Sequence, residues 1–237
     1  MRLYICENAQ NAKWRKNIAD NKKLSLAFVK KCICDFIGEK EKFIEIAISK
    51  NEYGKPYVDS IYKLKNNDEK YKIDMPLFFS LSHSENMLIC FIACFNIGAD
   101  CQKKNIGDMK TCRKIAKRFF SEQENIYLDS VFEKNLNDLS DDEDDIVAER
   151  EYIDNFFKIW TKKESYIKYT GKGLSEGMNT FSVTGEKRHK NYCGDVYFKK
   201  ISLVKSKKIK KSEANNFYIY LCYNKENRNI LELKYVY

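Results

Sequence analysis

The sequence predicts an α+β protein made of two small lobes. The chain has 237 residues, of which 43% are hydrophobic, which is enough for one domain or for two lobes that share an interface. Apolar residues alternate with a period of two in some segments and recur with a helical period in others. The order of these segments is strand, helix, strands, then helix, helix, strands. We therefore expect an N-terminal lobe over residues 1–102 and a C-terminal lobe over residues 103–237.

The first lobe is predicted to hold one helix among several strands. The apolar spacing of LSLAFVKKCICDFI at 24–37 predicts a helix that is buried on one side and ends near Gly38. Further on, Gly54 and Pro56 impose a turn that presents Lys55. Period-two or continuous apolar runs predict the strands of this lobe at 2–6, 45–49, 78–84 and 86–95.

The second lobe is predicted to begin with two helices. Their apolar spacing places them at 106–120 and 154–170, and the second stops at Gly171. Alternating runs predict strands at 181–185, 195–204 and 216–223. Between the helices, five consecutive acidic residues at 141–145 repel one another, so we expect a mobile loop insertion near residues 135–149.

Composition limits the function classes. The net charge of +9 suggests a phosphorylated, nucleic-acid or acidic-protein partner without choosing among them. No apolar stretch approaches the roughly 20 residues that a membrane helix needs. The chain has nine cysteines, and its N-terminal segment has no signal-peptide pattern, so we expect buried thiols in a cytoplasmic protein and neither disulfides nor a zinc site.

Two segments are candidates for a site with carboxylates. Trp160, Glu164 and Lys168 recur at i, i+4 and i+8 and so lie along one side of a helix. Spacing alone favours an intrahelical Glu–Lys pair with the tryptophan as a core anchor. Asp100 and Gln102 lie two residues apart on an extended segment and project the same way, which suits Mg²⁺, although an Asp after a strand is usually a cap or turn residue.

Two further segments could bind phosphate. Ser82, His83 and Ser84 offer hydroxyls and an imidazole between two apolar strands, and the G-x-S-x-G elbow of a serine hydrolase is absent. Donors to a phosphate are therefore the better interpretation. Lys55 is either a surface lysine in a β-turn or a second cation for phosphate.

Five motifs taken together resemble the 4′-phosphopantetheinyl transferases of the surfactin-synthetase type. They occur in the family's order and are EYGKP at 52–56, SLSHS at 80–84, IGADCQ at 97–102, IAKRFFSEQE at 115–124, and WTKKESYIKYTGKGLS at 160–175 with FSV at 181–183. The resemblance implies two similar lobes related by a pseudo-twofold axis. Each lobe would be a small antiparallel sheet packed on a long helix, with coenzyme A and Mg²⁺ in the cleft between them.

The resemblance also implies roles for individual residues. Asp100 and Glu164 correspond to the magnesium carboxylates, with Gln102 as a third ligand, and Lys168 corresponds to a lysine that contacts the coenzyme A phosphates. Further phosphate contacts are implied for Lys55, Ser82 and His83, and a place near the metal for Glu124.

The implied reaction transfers 4′-phosphopantetheine from coenzyme A to a serine hydroxyl of an acyl or peptidyl carrier protein. Adenosine 3′,5′-bisphosphate leaves, and Glu164 is the expected general base. The enzyme is expected to be a monomer and to bind neither nucleic acid nor membrane.

This chain departs from the family pattern in two places. The family usually has a glutamate where this chain has Gln102, so one negative charge is missing from the implied metal site. The basic residues that hold the 3′-phosphate are poorly matched near the N-terminus, where Lys22, Lys23, Lys30 and Lys31 are candidates.

Two alternatives compete with this interpretation. A degenerate member that binds coenzyme A without transfer would explain Gln102. A nucleic-acid-binding protein would explain the net charge and the lysine-rich run at 199–211, although that run alternates as a solvated strand does.

Overall fold

A computed structural model describes residues 1–7, 21–65, 69–85, 87–104, 107–137, 143–185, 193–203, 216–230 and 234–236. Within these ranges the helices are α1 (Asn21–Ile37), α2 (Met109–Phe119), α3 (Glu122–Asn137) and α4 (Glu143–Thr170). The strands are β1 (Arg2–Glu7), β2 (Ile44–Lys50), β3 (Pro56–Leu64), β4 (Lys70–Lys72), β5 (Phe78–Ser84), β6 (Met87–Ala93), β7 (Ile97–Lys103), β8 (Val196–Lys200), β9 (Phe217–Asn224) and β10 (Lys234–Val236).

The strands form three sheets, and almost every pair is antiparallel. The sheet orders are β10-β1-β6-β5, β2-β3-β4 and β7-β9-β8, and among the described pairs only β1 and β10 run parallel. Helices and antiparallel sheets are therefore combined in one chain, which confirms the predicted α+β class. β10 joins the first sheet from the C-terminal end of the described chain.

Strand β6 lies at the centre of the core, and all seven of its residues are buried. Its odd-numbered residues, with Ile89 and Phe91 in the middle, pack in one cluster with β7 and β9. Its even-numbered residues pack in a second cluster with α1. Because both faces are covered, the strand reads as a continuous apolar run rather than as an alternating one.

Helix α4 lies directly on β7, and Gly98 makes this approach possible. A Cβ at Gly98 would lie 2.1 Å from the backbone oxygen of Ser165 and 2.2 Å from the backbone nitrogen of Tyr169. The helix residues Thr161 and Ser165 are small and fully buried, and their hydroxyls donate to carbonyls of their own helix. Small side chains on both elements thus bring the two backbones together.

The C-terminus of α4 is held by three polar side chains from outside the helix. Lys55 Nζ and Asn96 Nδ2 donate to Tyr169 O at 3.2 and 3.0 Å, and Asn51 Nδ2 donates to Gly171 O at 2.9 Å. Gly171 has a φ of +75°, which ends the helix where the sequence predicts. Carbonyls that a helix leaves unpaired at its end are therefore satisfied by the rest of the fold.

The acidic segment differs from the prediction. The expectation of a loop near 135–149 is wrong for residues 143–149, which form the first two turns of α4, and α3 runs on to Asn137. Residues 138–142 lie outside the described residues. Helix α3 is also absent from the sequence prediction, whereas the predicted helix at 106–120 corresponds to α2. In this part of α4 Ala148 is buried, whereas Asp145, Ile146 and Val147 are exposed. A helix extends into such a segment because each added residue forms one more backbone hydrogen bond once the helix is nucleated.

The predicted division of the chain at residue 102 falls inside β7. This strand pairs with β9, in the register Asp100↔Tyr220 and Gln102↔Tyr218. Strand pairing therefore groups β7 with the second half of the chain. The division of the chain into two lobes stays a prediction.

Most cysteines behave as small buried side chains. Seven of the nine are buried, and desolvation raises the pKa of Cys34 and of Cys112 to about 11. These two thiols stay protonated at neutral pH. Among the described residues, no helix is both long and apolar enough to cross a membrane.

We expect Gly98→Ala to destabilise the protein by about 3 kcal/mol, because the added methyl would force α4 away from β7. The matched control is Gly107→Ala, whose Cβ would meet nothing closer than Cys112 Sγ at 3.8 Å. Urea unfolding of both variants measures the difference. Equal stability of the two would contradict the account of α4 packing.

Candidate active site

The candidate site lies where β5, β7 and α4 meet, and Asp100 is its centre. Asp100 is only 6% exposed. Its Oδ1 accepts from Lys168 Nζ on α4 at 2.7 Å and from Ser82 Oγ on β5 at 2.7 Å. Three elements that are distant in sequence therefore converge on one carboxylate oxygen.

A second carboxylate comes from α4, one turn before Lys168. The pKa of Glu164 is raised first by burial and then by the negative charge of Asp100, while Lys168 opposes the shift. Glu164 on the helix is therefore close enough to Asp100 on the strand for their charges to interact, and their role as a pair of metal ligands stays a prediction. Lys168 is held by Asp100 on the facing strand, which differs from the simple intrahelical pair that spacing alone favours.

Trp160, one turn before Glu164, is part of an aromatic cluster. Its ring meets Phe119 edge-on at 6.0 Å and stacks on Phe156 at 6.2 Å. The tryptophan therefore anchors α4 in the core. It also lines a cavity of about 410 Å³ together with Gln102.

Gln102 lies on the same face of β7 as Asp100, as the spacing of two predicts. Its side chain is half-buried, and its amide oxygen is a possible neutral ligand. Among the described residues, no group of three or more His, Cys, Asp or Glu side chains surrounds a common point. The site therefore offers two carboxylates and one amide.

This donor set fits Mg²⁺. Mg²⁺ is usually bound through one or two carboxylates and completes its shell with substrate phosphates and water. Burial and then the charge of Asp100 raise the pKa of Glu164, and a divalent cation near both carboxylates would favour their charged forms. Asp100, Glu164 and Gln102 are the residues that would hold it.

Serines from β5 tie that strand to β7 by a ladder of side-chain hydrogen bonds. The backbone nitrogens of Ala99, Cys101 and Lys103 donate to Oγ of Ser80, Ser82 and Ser84 at 2.8, 3.1 and 2.8 Å. The three serines are buried. The ladder satisfies backbone donors of β7 on the side that faces β5.

The side chains of Ser82 and His83 point to opposite faces of β5. Because side chains alternate along a strand, His83 projects from the opposite face of β5 and is exposed. The hydroxyl of Ser82 faces Asp100. Contacts of Ser82 and His83 with a phosphate stay predictions.

The two lysines predicted to bind phosphate line one cavity. Lys55 and Lys168 both lie in the wall of a cavity of about 260 Å³, whose apolar side includes Phe79, Leu81 and Ile167. Burial lowers the pKa of Lys55, and its Nζ donates to Asn96 Oδ1 at 3.3 Å besides Tyr169 O. This cavity therefore combines positive charge with an apolar wall.

Glu124 forms a buried ion pair. Glu124 Oε2 lies 2.6 Å from Lys163 Nζ, and both side chains are 0% exposed. The carboxylate also accepts from the backbone nitrogens of Ser121 and Val183. Through these contacts Glu124, on α3, connects that helix to α4 and to the segment at 181–183. Its predicted place near a metal stays a prediction.

Lys163 is a residue that the motif reasoning overlooks. Its Nζ also donates to Phe181 O at 2.6 Å and lies 4.2 Å from the centre of that ring. A sequence signal exists, since Lys163 falls on the buried stripe of Phe156, Ile159 and Ile167, with spacings of three, four and four. A lysine on such a stripe indicates that a buried acidic side chain lies nearby, because a buried charge needs a partner of opposite sign.

The N-terminal lysines lie on or beside α1. Lys23 and Lys31 are exposed and Lys30 is half-buried, whereas the side chain of Lys22 lies outside the described residues. Their predicted contact with the 3′-phosphate is a proposal.

Comparisons with known proteins agree on a family. A family model for the 4′-phosphopantetheinyl transferase superfamily matches residues 96–222. The 4′-phosphopantetheinyl transferase gsp of Aneurinibacillus migulanus is 33% identical over 138 residues, which are 58% of this chain and 44% of that protein. The 4′-phosphopantetheinyl transferase Sfp of Bacillus subtilis (strain 168) is 35% identical over 140 residues, which are 59% of this chain and 47% of that protein.

The chain spans about half the length of the curated relatives that it matches. The family model, in contrast, matches more than half of this chain, and the matched segment contains Asp100, Glu164 and Lys168. The chain therefore belongs to the 4′-phosphopantetheinyl transferase superfamily.

Proposed function

We propose that this protein transfers 4′-phosphopantetheine from coenzyme A to a serine hydroxyl of an acyl or peptidyl carrier protein. The observation that carries the proposal is the contact of Lys168 with Asp100 beside Glu164, at the edge of a cavity that also contains Lys55. Two carboxylates next to two lysines suit a metal-bound pyrophosphate. Relatives with the name of this activity support the proposal.

The lysines bind and neutralise the ligand. Lys168 reaches phosphate oxygens from α4, and Lys55 reaches them from its turn, while the apolar wall of the cavity excludes water. His83 and the lysines near α1 supply outer contacts to the 3′-phosphate. Mg²⁺, when bound to Asp100, Glu164 and Gln102, supplies Lewis-acid stabilisation of charge on the phosphate oxygens.

Glu164 accepts the proton of the carrier serine. Its carboxylate is half-buried beside Asp100 and Lys168, where a positioned side chain of this kind takes the proton of the attacking hydroxyl. The serine oxygen forms a bond to the phosphorus nearest the pantetheine, and the bond from that phosphorus to its bridging oxygen breaks. Adenosine 3′,5′-bisphosphate leaves with the displaced oxygen, and the proton stays on Glu164 until water removes it.

The proposal includes the arrangement implied by the resemblance: two lobes related by a pseudo-twofold axis, with the cleft between them at β5, β7 and α4. The hydrogen bonds that the backbone of β7 donates to the serines of β5 lie at this junction. An acidic carrier protein suits the net charge of +9 and the exposed basic residues of α2, among them Lys110, Lys114 and Lys117. We also propose that the enzyme acts as a cytoplasmic monomer.

One residue favours a second candidate function. Gln102 removes a charge from the metal site, so the chain could bind coenzyme A without catalysing transfer. Most of the lysine-rich run at 199–211 lies outside the described residues, and no described feature strengthens the nucleic-acid alternative.

Incubation with coenzyme A, Mg²⁺ and an apo carrier domain tests the function. We expect the mass of a phosphopantetheine group on the carrier serine, measured by intact-protein mass spectrometry. A carrier with its serine replaced by alanine is the control. Coenzyme A binding with an unchanged carrier mass would instead select the binding protein without transfer.

We expect Glu164→Gln to lower the transfer rate by about 10²-fold or more, because the general base is lost, while coenzyme A still binds. The metal-free variant is expected to melt about 2–4 °C higher, since a half-buried negative charge next to Asp100 is gone. Glu122→Gln, at an exposed position, is the matched control. Unchanged turnover by Glu164→Gln would remove this residue from the mechanism.

We expect Gln102→Glu to tighten Mg²⁺ binding, because it adds a negative charge on the face of β7 that carries Asp100. A titration of the transfer rate with Mg²⁺, and a direct binding titration, measure the effect. Equal or weaker affinity in the variant would show that residue 102 does not face the metal.

A further inference from the structure

We propose that Ser82 is a positioning residue that orients the metal-binding carboxylate of Asp100, and that it does not bind phosphate directly. This inference rests on the proposed function, since it assigns a role to Asp100 as a metal ligand. Ser82 belongs to the SLSHS motif of β5, for which the family resemblance implies a phosphate contact.

The hydroxyl of Ser82 has no second proton for a phosphate. A hydroxyl has one proton to donate and two lone pairs to accept. Ser82 Oγ accepts from Cys101 N at 3.1 Å and donates to Asp100 Oδ1 at 2.7 Å. A hydrogen bond from Ser82 to a phosphate would therefore take the proton away from Asp100.

The two described donors to the carboxylate of Asp100 share one of its oxygens. Among the described residues, the side chains of Ser82 and Lys168 both donate to Oδ1 of Asp100. With that oxygen engaged twice, Oδ2 is the oxygen left for a metal ion. Hydrogen bonds behind a ligand of this kind fix its orientation and raise its affinity for the metal.

Ser82 and Lys168 differ in how they respond to a bound metal ion. A divalent cation next to Asp100 repels the ammonium of Lys168, and the phosphates of coenzyme A attract it. Lys168 also has a long side chain, so it can move from the carboxylate to the ligand. Ser82 is neutral, short and itself buried, so its bond to Asp100 persists when metal and coenzyme A bind.

The serine ladder supplies matched controls. Ser84 accepts from Lys103 N at 2.8 Å, as Ser82 accepts from Cys101 N, and Ser80 accepts from Ala99 N. Ser82 alone among the three is hydrogen-bonded to a carboxylate in the described contacts. Ser82→Ala and Ser84→Ala therefore each remove one acceptor of a backbone N–H, and they differ in the bond to Asp100.

The experiment measures binding of Mn²⁺, as a probe for Mg²⁺, by the loss of the free-ion paramagnetic resonance signal in the presence of coenzyme A. Ser82→Ala is expected to raise the dissociation constant of Mn²⁺ about tenfold. Ser84→Ala is expected to leave it within about twofold, although both variants lose similar thermal stability. Ser82→Cys, which fills the same space with a weak donor, is expected to lie between the wild type and Ser82→Ala, and it serves if the alanine variant does not fold.

Three results would overturn the proposal. The first is an equal effect of Ser82→Ala and Ser84→Ala on Mn²⁺ affinity. The second is weaker binding of coenzyme A by Ser82→Ala with unchanged Mn²⁺ affinity, which would make Ser82 a phosphate contact. The third is a wild type that binds no Mn²⁺. Mass gain on the carrier is scored separately, so failure of the proposed transfer is distinguishable from failure of the role of Ser82.

Discussion

The close contact of α4 with β7 at Gly98 is the constraint on which the site depends. The backbones approach so closely that no Cβ fits between them. This contact sets the position of α4 along the strand. It also sets the positions of Glu164 and Lys168, because each is next in sequence to a residue of α4 that touches Gly98. Polar side chains from Asn51, Lys55 and Asn96 then hold the C-terminal end of the same helix. Backbone packing therefore brings α4 to the strand at the height where Lys168 reaches Asp100.

The serine ladder supplies the other half of this framework. Strands β5 and β7 belong to different sheets, and buried serine hydroxyls, in place of carbonyls, accept hydrogen bonds from the backbone of β7. Buried backbone donors that lack a partner cost free energy, so this arrangement stabilises the junction of the two sheets. One of these hydroxyls, that of Ser82, also donates to Asp100. Packing and site geometry thus share one set of residues.

Much of the fold and of the site could be predicted from local patterns. Period-two alternation located β5 and β9, and the glycine after Thr170 located the end of α4. The spacing of Asp100 and Gln102 predicted a common face. Helix α3 and the first turns of α4 were missed, because most of their side chains are polar or exposed. The few buried apolar ones, such as Leu128 and Ala148, become informative only when the two helices pack together. The pairing of β7 with β9 was also missed, since it joins residues more than a hundred positions apart.

The sequence by itself determined the residue types of the site and the family to which the chain belongs, because motif order and spacing are local properties. Tertiary structure alone decided which groups meet. It joined Asp100 to Lys168, directed Ser82 toward that carboxylate and placed His83 on the opposite face of the same strand. It also buried Glu124 against Lys163. The physical reason is that a side chain's partner is set by how strands and helices from distant parts of the chain pack, and no local spacing encodes that.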